Sequence, residues 1–335
     1  MSSVSMKNLT LTVFGESHGE CVGAVLTGFP SGYKIDYELL RADMQRRKPG
    51  QNKLSTPRKE DDDFRIVSGV LDGVTTGAPI CAIIHNTSQH SADYEKLKNV
   101  PRPSHADYPA YVKYGGFNDI RGGGHFSGRL TAPLVCIGSL CKQYLETKGI
   151  KVESNVHSVG GVENTSKDGV CEDIQKLIIK QAESGDSVGG QVLCKVSGLK
   201  PGIGGPLFEG VEGKLSVLMF GIPAVKAVEF GLGVGFATSF GSDVNDNYTV
   251  ENNAVKTLSN NNGGITGGIT NGNNVEFKVT FKPTPSIFKE QQSVDLGDMK
   301  NCKLEIKGRH DPCIVLRAVP VVECVTAIGI MDMVI

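Results

Sequence analysis

The stretch IRGGGHFSGRLTAPLVCIGSLCKQYLETK, Ile120–Lys148, joins a glycine triplet to a strongly periodic segment. Its second half reads as a helix over Thr131–Lys148. Leu134, Ile137, Cys141, Tyr144 and Leu145 recur there at three- and four-residue spacing, the period of a one-sided apolar stripe. The first half is of another kind. Gly122, Gly123 and Gly124 let backbone approach something that a Cβ would exclude, and His125, Phe126, Ser127 and Arg129 follow. Neither glycine fingerprint of nucleotide sites fits. A P-loop needs Lys-Ser/Thr after its glycines, and G-x-G-x-x-G fails because Ser127 stands in the last glycine's place. GLGVGF, Gly231–Phe236, fails the same test.

Outward from this stretch, Leu9–Phe14 and Asn274–Phe281 alternate like strands, and Val22–Leu26, Phe64–Val70 and Pro79–Ile84 read as further strands. Helices are expected over Asp36–Arg47, Glu172–Glu183 and Gly213–Met219. SNNNGGITGGITNGNN, Ser259–Asn274, has the composition of a linker. No clean break divides the chain, so residues 1–335 read as a single α+β unit.

A formal charge of −1 argues against general affinity for nucleic acid or a membrane surface. No apolar run reaches the roughly 18–20 residues needed to span a bilayer, and no secretory pattern opens the chain, so a cytoplasmic setting is expected. Nine cysteines without a C-x-x-C pair read as reduced, mostly buried thiols, with no metal site. Glycine is abundant, at 42 residues, which fits many tight turns or close backbone approaches to a ligand.

Four polar clusters stand out. Arg46, Arg47, Lys48, Lys53, Arg58 and Lys59 crowd a loop broken by Pro49, Gly50 and Pro57. The residues alone leave a solvated face and an anion site equally open. GESHG, Gly15–Gly19, presents Ser17 and His18 on a turn after the first strand; it also matches the letters of a nucleophile elbow. RPSHADY, Arg102–Tyr108, places His105 near Asp107, which either orients the imidazole or caps a following helix. GRHDPC, Gly308–Cys313, sets Arg309, His310 and Asp311 side by side. A Ser-His hydrolase on GESHG, or a phosphate- or RNA-binding protein using residues 46–59, remain rival readings.

FGESHG, RRKPGQ, RPSHADY, KYG, RGGG, KPTPSI and GRHDPC with RAVPVVE occur in an order and spacing that resemble the chorismate synthase family over nearly the whole chain. The resemblance implies an α+β fold with helices sandwiched between antiparallel sheets, and a homotetramer. It implies anti-1,4-elimination of phosphate from 5-enolpyruvylshikimate-3-phosphate, with reduced FMN and no net redox change, and NADPH as reductant in members that reduce their own flavin. By motif position, His18 resembles the proton donor to departing phosphate, and His105 the partner of reduced flavin. Asp311 resembles the group coupled to proton removal at C6, with Ser17 and Ser127 in support. Flavin contacts carry over to His125, Phe126, Ser127, Pro223, Ala224, Gly267, Lys282, Pro283, Thr284, Pro285, Ser286 and Arg309. Arg46, Arg47, Lys53 and Arg129 would meet substrate or nicotinamide cofactor. The glycine triplet is then expected beside the isoalloxazine ring. His125 and Phe126 depart from the family's usual Arg-Ser, and Ser88 and His90 from its usual Asp and Arg.

Overall fold

Alternation sets the sheets. In Val275–Phe281 the side chains of Val275, Phe277, Val279 and Phe281 are buried, while Glu276, Lys278 and Thr280 take the other face. Cys21–Thr27 buries Val22, Ala24 and Leu26 in the same way. The computed structural model describes residues 2–50, 54, 62–87, 99–306 and 310–335. Lys53, Arg58, Lys59, Ser88, His90 and Arg309 lie outside the described residues.

Two five-stranded antiparallel sheets form. The first runs Ser3–Ser5, Thr10–Gly15, Cys21–Thr27, Ile80–His85, Phe64–Ser68 in spatial order. The second runs Val225–Phe230, Val275–Phe281, Gly190–Ser197, Lys151–Val159, Val162–Glu163. The helix Thr131–Glu146 packs on the first sheet and the helix Val315–Val334 on the second, and the two helices pack on each other. Helices thus sit between antiparallel sheets. At the helix contact, a Cβ on Gly138 would overlap the backbone carbonyl of Cys324. Glycine there sets how closely the layers approach.

The helix Tyr37–Arg47 starts where the Asp36 carboxylate accepts from the N–H groups of Glu38 and Leu39. It stops at Lys48, before Pro49. Its inner face, with Leu40 and Met44 buried, packs on both central helices. Ser259–Asn274 is no linker. The Asp246 carboxylate accepts from Ser259 Oγ, from the N–H groups of Asn261 and Asn262, and from Asn262 Nδ2, pinning the segment down. The hairpin Ile265–Thr266 with Ile269–Thr270 follows. All nine cysteines are free thiols, and five are buried. Burial pushes the thiols of Cys136 and Cys194 up to about 12. No helix among the described residues is long and apolar enough to cross a membrane.

Candidate active site

A cavity of about 1170 Å³ draws lining residues from both sheets, from the glycine triplet and from both central helices. On one wall the turn after Thr10–Gly15 carries Ser17 and His18. Asn86 clamps this turn: its Nδ2 donates to the carbonyls of Glu16 and Gly19, at 3.0 and 2.9 Å. The Ser17 N–H donates to the carbonyl of Gly124 at 3.1 Å, tying the turn to the glycine triplet. His18 lines the cavity at 5% exposure, and Ser17 lies beneath it, fully buried. A serine so placed is no exposed nucleophile, so GESHG does not form an elbow of the hydrolase type.

Two of the triplet's glycines face histidines, and the third, Gly124, leaves no room for a Cβ beside the Asp119 carbonyl. At Gly122, φ +60°, a Cβ would lie 2.6 Å from His18 Nε2 and 2.8 Å from Ser17 Oγ. At Gly123, φ +86°, it would lie 3.1 Å from His105 Nε2. The bare backbone therefore separates two imidazole rings that any side chain would push apart.

His105 stands on a compact cluster. Its Nδ1 is 2.6 Å from Asp107 Oδ1. Arg102 donates to the same carboxylate from Nε at 2.7 Å, from Nη2 at 2.8 Å and from its backbone N–H at 3.0 Å. Burial alone would raise the Asp107 carboxyl, but the bonds from Arg102 and His105 hold it well below the usual carboxylate range. The helix Asp107–Tyr114 has no side-chain cap. Of the two roles open to Asp107, the geometry takes the first.

Cations surround the remaining walls. Arg47, 2% exposed, donates to Asp62 Oδ2 at 2.6 Å, to Thr131 Oγ1 and to the carbonyl of Gly128. Arg129 pairs with the other Asp62 oxygen and donates to Asn86 Oδ1 at 3.0 Å. Burial would raise the Asp62 carboxyl, yet Arg47 and Arg129 hold it below its ordinary value. Arg317 Nη1 is 2.9 Å from Asp311 Oδ2, and its Nε donates to the carbonyl of Arg47. Lys226 and Lys282 complete the lining, and Lys282 Nζ donates to the carbonyl of Ser104. Burial and the neighbouring Lys226 lower the Lys282 ammonium.

Of the residues marked in sequence, His18, His105, Asp311, His125, Phe126, Ser127, Pro223, Ala224, Lys282, Thr284, Pro285, Ser286, Arg47 and Arg129 line this one cavity. Ser17 sits just behind the wall. Pro283 and Gly267 are not among the lining residues; Gly267 is at the tip of its hairpin. Arg46 turns away, bound to Glu323 at 2.8 and 2.9 Å and to Asp43 at 3.0 Å. Consecutive helical residues point about 100° apart, so Arg46 and Arg47 cannot share a wall. His125 is held by the Gly15 carbonyl at 2.8 Å and by Ser2 Oγ. Asp62, Asn86, Arg102, His310 and Arg317 carry no role in the sequence reading. RPSHADY, GRHDPC and RAVPVVE contain three of them, Arg102, His310 and Arg317, and the polar residues inside those motifs were the available signal.

The chorismate synthase family model matches residues 9–335. A chorismate synthase of Dehalococcoides mccartyi is 44% identical over 351 aligned positions, covering 99% of this chain and 96% of that protein. One of Thermococcus gammatolerans is 45% identical over 341 positions, covering 97% and 96%. A solved chorismate synthase structure superposes with a TM-score of 0.76 at 28% identity, covering 98% of this chain and 92% of that one. Shared motifs, shared architecture and near-complete coverage agree: the chain belongs to the chorismate synthase family.

Proposed function

We propose that this chain eliminates phosphate from 5-enolpyruvylshikimate-3-phosphate to give chorismate, with reduced FMN bound in the same cavity. The observation that carries the reading is the convergence of His18, His105 and Asp311 with Arg47, Arg102, Arg129 and Arg317 on one cavity. Among the described residues, six lining cations face three carboxylates, Asp311 on the wall and Asp62 and Asp107 behind it. That surplus suits a substrate bearing a phosphate and two carboxylates.

The residues present fit a flavin mononucleotide. The cavity is somewhat larger than the range of roughly 300–1,000 Å³ usual for small-molecule sites, with room for cofactor and substrate together. Buried Thr284 Oγ1 and His310 Nε2 lack a hydrogen-bond partner among the described residues, and both residues line the cavity. Phe126, with Tyr114 at 6.4 Å between ring centroids, adds apolar surface at 40% exposure. Reduced FMN, when bound, supplies electron density that eases loss of the phosphate and is restored at the end of the cycle. His125 to Ser127, Pro223, Ala224, Lys282 to Ser286 and Arg309 are the proposed holders of that group.

The chain's own chemistry is proton placement within a field of cations. His18 donates to the leaving phosphate oxygen, with Ser17 fixing its turn. Arg47, Arg129 and Arg317 hold the substrate's anionic groups and favour departure of a multiply charged leaving group. Asp311, kept in place by Arg317 and by the Cys313 N–H at 3.4 Å, takes part in removing the proton at C6. His105 would face the cofactor's ring system and hold or give up a proton at its cavity-side nitrogen. Purified protein with reduced FMN should release chorismate and phosphate in equal amounts under anaerobic conditions; no turnover there would sink the reading. NADPH oxidation by the isolated chain with FMN separates self-reduction from supply by an external reductase. Exposed Leu207, Phe208, Phe240 and Val250 support assembly into a homotetramer, which sedimentation would test.

A further inference from the structure

We propose that Asp107 is a positioning residue that fixes the tautomer of His105, leaving Nε2 as the single ring atom at which a proton is gained and lost. This rests on the role given to His105 above and adds a requirement to it.

Two groups compete for His105 Nδ1. Asp107 Oδ1 stands 2.6 Å away and Arg102 Nη2 stands 3.2 Å away. The guanidinium can only donate, and would need a bare Nδ1. An ionised carboxylate can only accept, and needs Nδ1–H. Asp107 is the nearer, at a separation that a bare Nδ1 and an ionised carboxylate would not share, and Arg102 keeps it ionised: Nε–H and the backbone N–H converge on Oδ2, and one Nη2 hydrogen reaches Oδ1 while the other is left for Nδ1. The neutral ring therefore carries its hydrogen on Nδ1. Nε2 is left on the side of Gly123, where a Cβ would stand 3.1 Å from it, and His105 lines the cavity. Neither carboxylate oxygen caps the following helix: Oδ1 faces the ring, and Oδ2 is anchored by Arg102.

The same geometry says what an isosteric change would do. In Asp107→Asn, one atom of the carboxamide accepts and the other donates. Two Arg102 donors meet at the Oδ2 position against one at Oδ1, so the amide oxygen settles there and the NH₂ faces His105. Nδ1 must then accept, and the ring's hydrogen moves to Nε2. The ring keeps its place but presents an N–H where a proton acceptor is required. A role confined to packing predicts no such change.

The test is solid-state ¹⁵N NMR of the free, full-length protein labelled in its histidine rings, with His105 identified by the signal lost in His105→Gln. In mildly alkaline buffer the wild-type ring should show a protonated Nδ1 and a bare Nε2. Asp107→Asn should show the reverse, with kcat lowered about 10²–10⁴-fold and KM little changed. A wild-type ring protonated at Nε2 overturns the proposal, and so does an Asp107→Asn ring that keeps the wild-type pattern. If Asp107→Asn does not fold, the wild-type spectrum decides alone. Because the spectrum needs neither substrate nor cofactor, failure of chorismate formation would strike the functional reading and leave the tautomer assignment standing.

Discussion

Arg46 and Arg47 are neighbours in the chain and serve opposite purposes. Arg46 enters a closed network in which two carboxylates, Asp43 and Glu323, meet two cations, Arg46 and Lys142, with Ser139 Oγ and the Ser154 N–H filling remaining acceptors. Arg47 enters an open one, where Asp62 is shared with Arg129 and cations outnumber carboxylates along the cavity. Exposure runs against the usual expectation: the Arg46 side chain is 41% exposed and the Arg47 side chain 2%. Balance of charge, and not burial, separates the charges that hold the fold from those that wait for a ligand.

The sharpest way to probe the open half is to remove its histidines. His18→Ala and His105→Ala should each lower turnover about 10²–10⁴-fold while urea unfolding stays near wild type. Near wild-type kcat would remove either residue from the chemistry. The closed half should answer in stability. Glu323→Ala leaves Arg46 and Lys142 short of a buried partner and should cost about 3–5 kcal/mol in urea unfolding; a loss under about 1 kcal/mol would mean the network holds nothing.

Arg317→Lys keeps the charge but loses the fork between Asp311 and the Arg47 carbonyl, so kcat/KM should fall about 10–100-fold with little change in unfolding. A marked stability loss instead would move Arg317 into the structural class. The gentlest contrast is with acid. Asp62 is held below its ordinary value, so its contribution is complete above an unfolded carboxylate pKa of about 4 and is lost as pH falls through the depressed one. The stability curve of Asp62→Asn should therefore be flatter than wild type below about pH 4; parallel curves would mean that Asp62 contributes nothing to the acid limb.

Four strands of the first sheet were legible because they alternate or run apolar between clear breaks, and each lies within two residues of its expected bounds, while Ser3–Ser5 gave no such signal. Of the second sheet, the alternating Val275–Phe281 was legible and the other strands were not. Lys151–Val159 mixes lysine, glutamate, asparagine and histidine into its exposed positions, and a register shift at Gln191/Val192 breaks the period of its partner. Val315–Val334 is covered on nearly every side, so it carries no helical stripe to detect, and Pro320 reads as a breaker. At the site, the motifs pointed to His18, His105 and Asp311 as a group, and the cavity does bring them together. Partnership was invisible. Nothing in the order Arg46-Arg47 says which faces the cavity, and Asp62, 15 residues on, is joined to Arg47 only by folding. The triplet's glycines announced a close approach without saying that imidazoles are among the neighbours.

The helix Val315–Val334 follows in sequence every strand of both sheets. It carries Arg317 to the cavity, Glu323 to the closed network and Asp332 to the N-terminal segment, whose N–H groups at Lys7, Asn8 and Leu9 bind the Asp332 carboxylate at 3.2, 2.6 and 2.8 Å. During synthesis the first sheet can be covered early by Thr131–Glu146, while the inner face of the second waits for this helix to leave the ribosome. Assembly of the cavity is thus a late step, and the interval before it is when the chain is most exposed to aggregation.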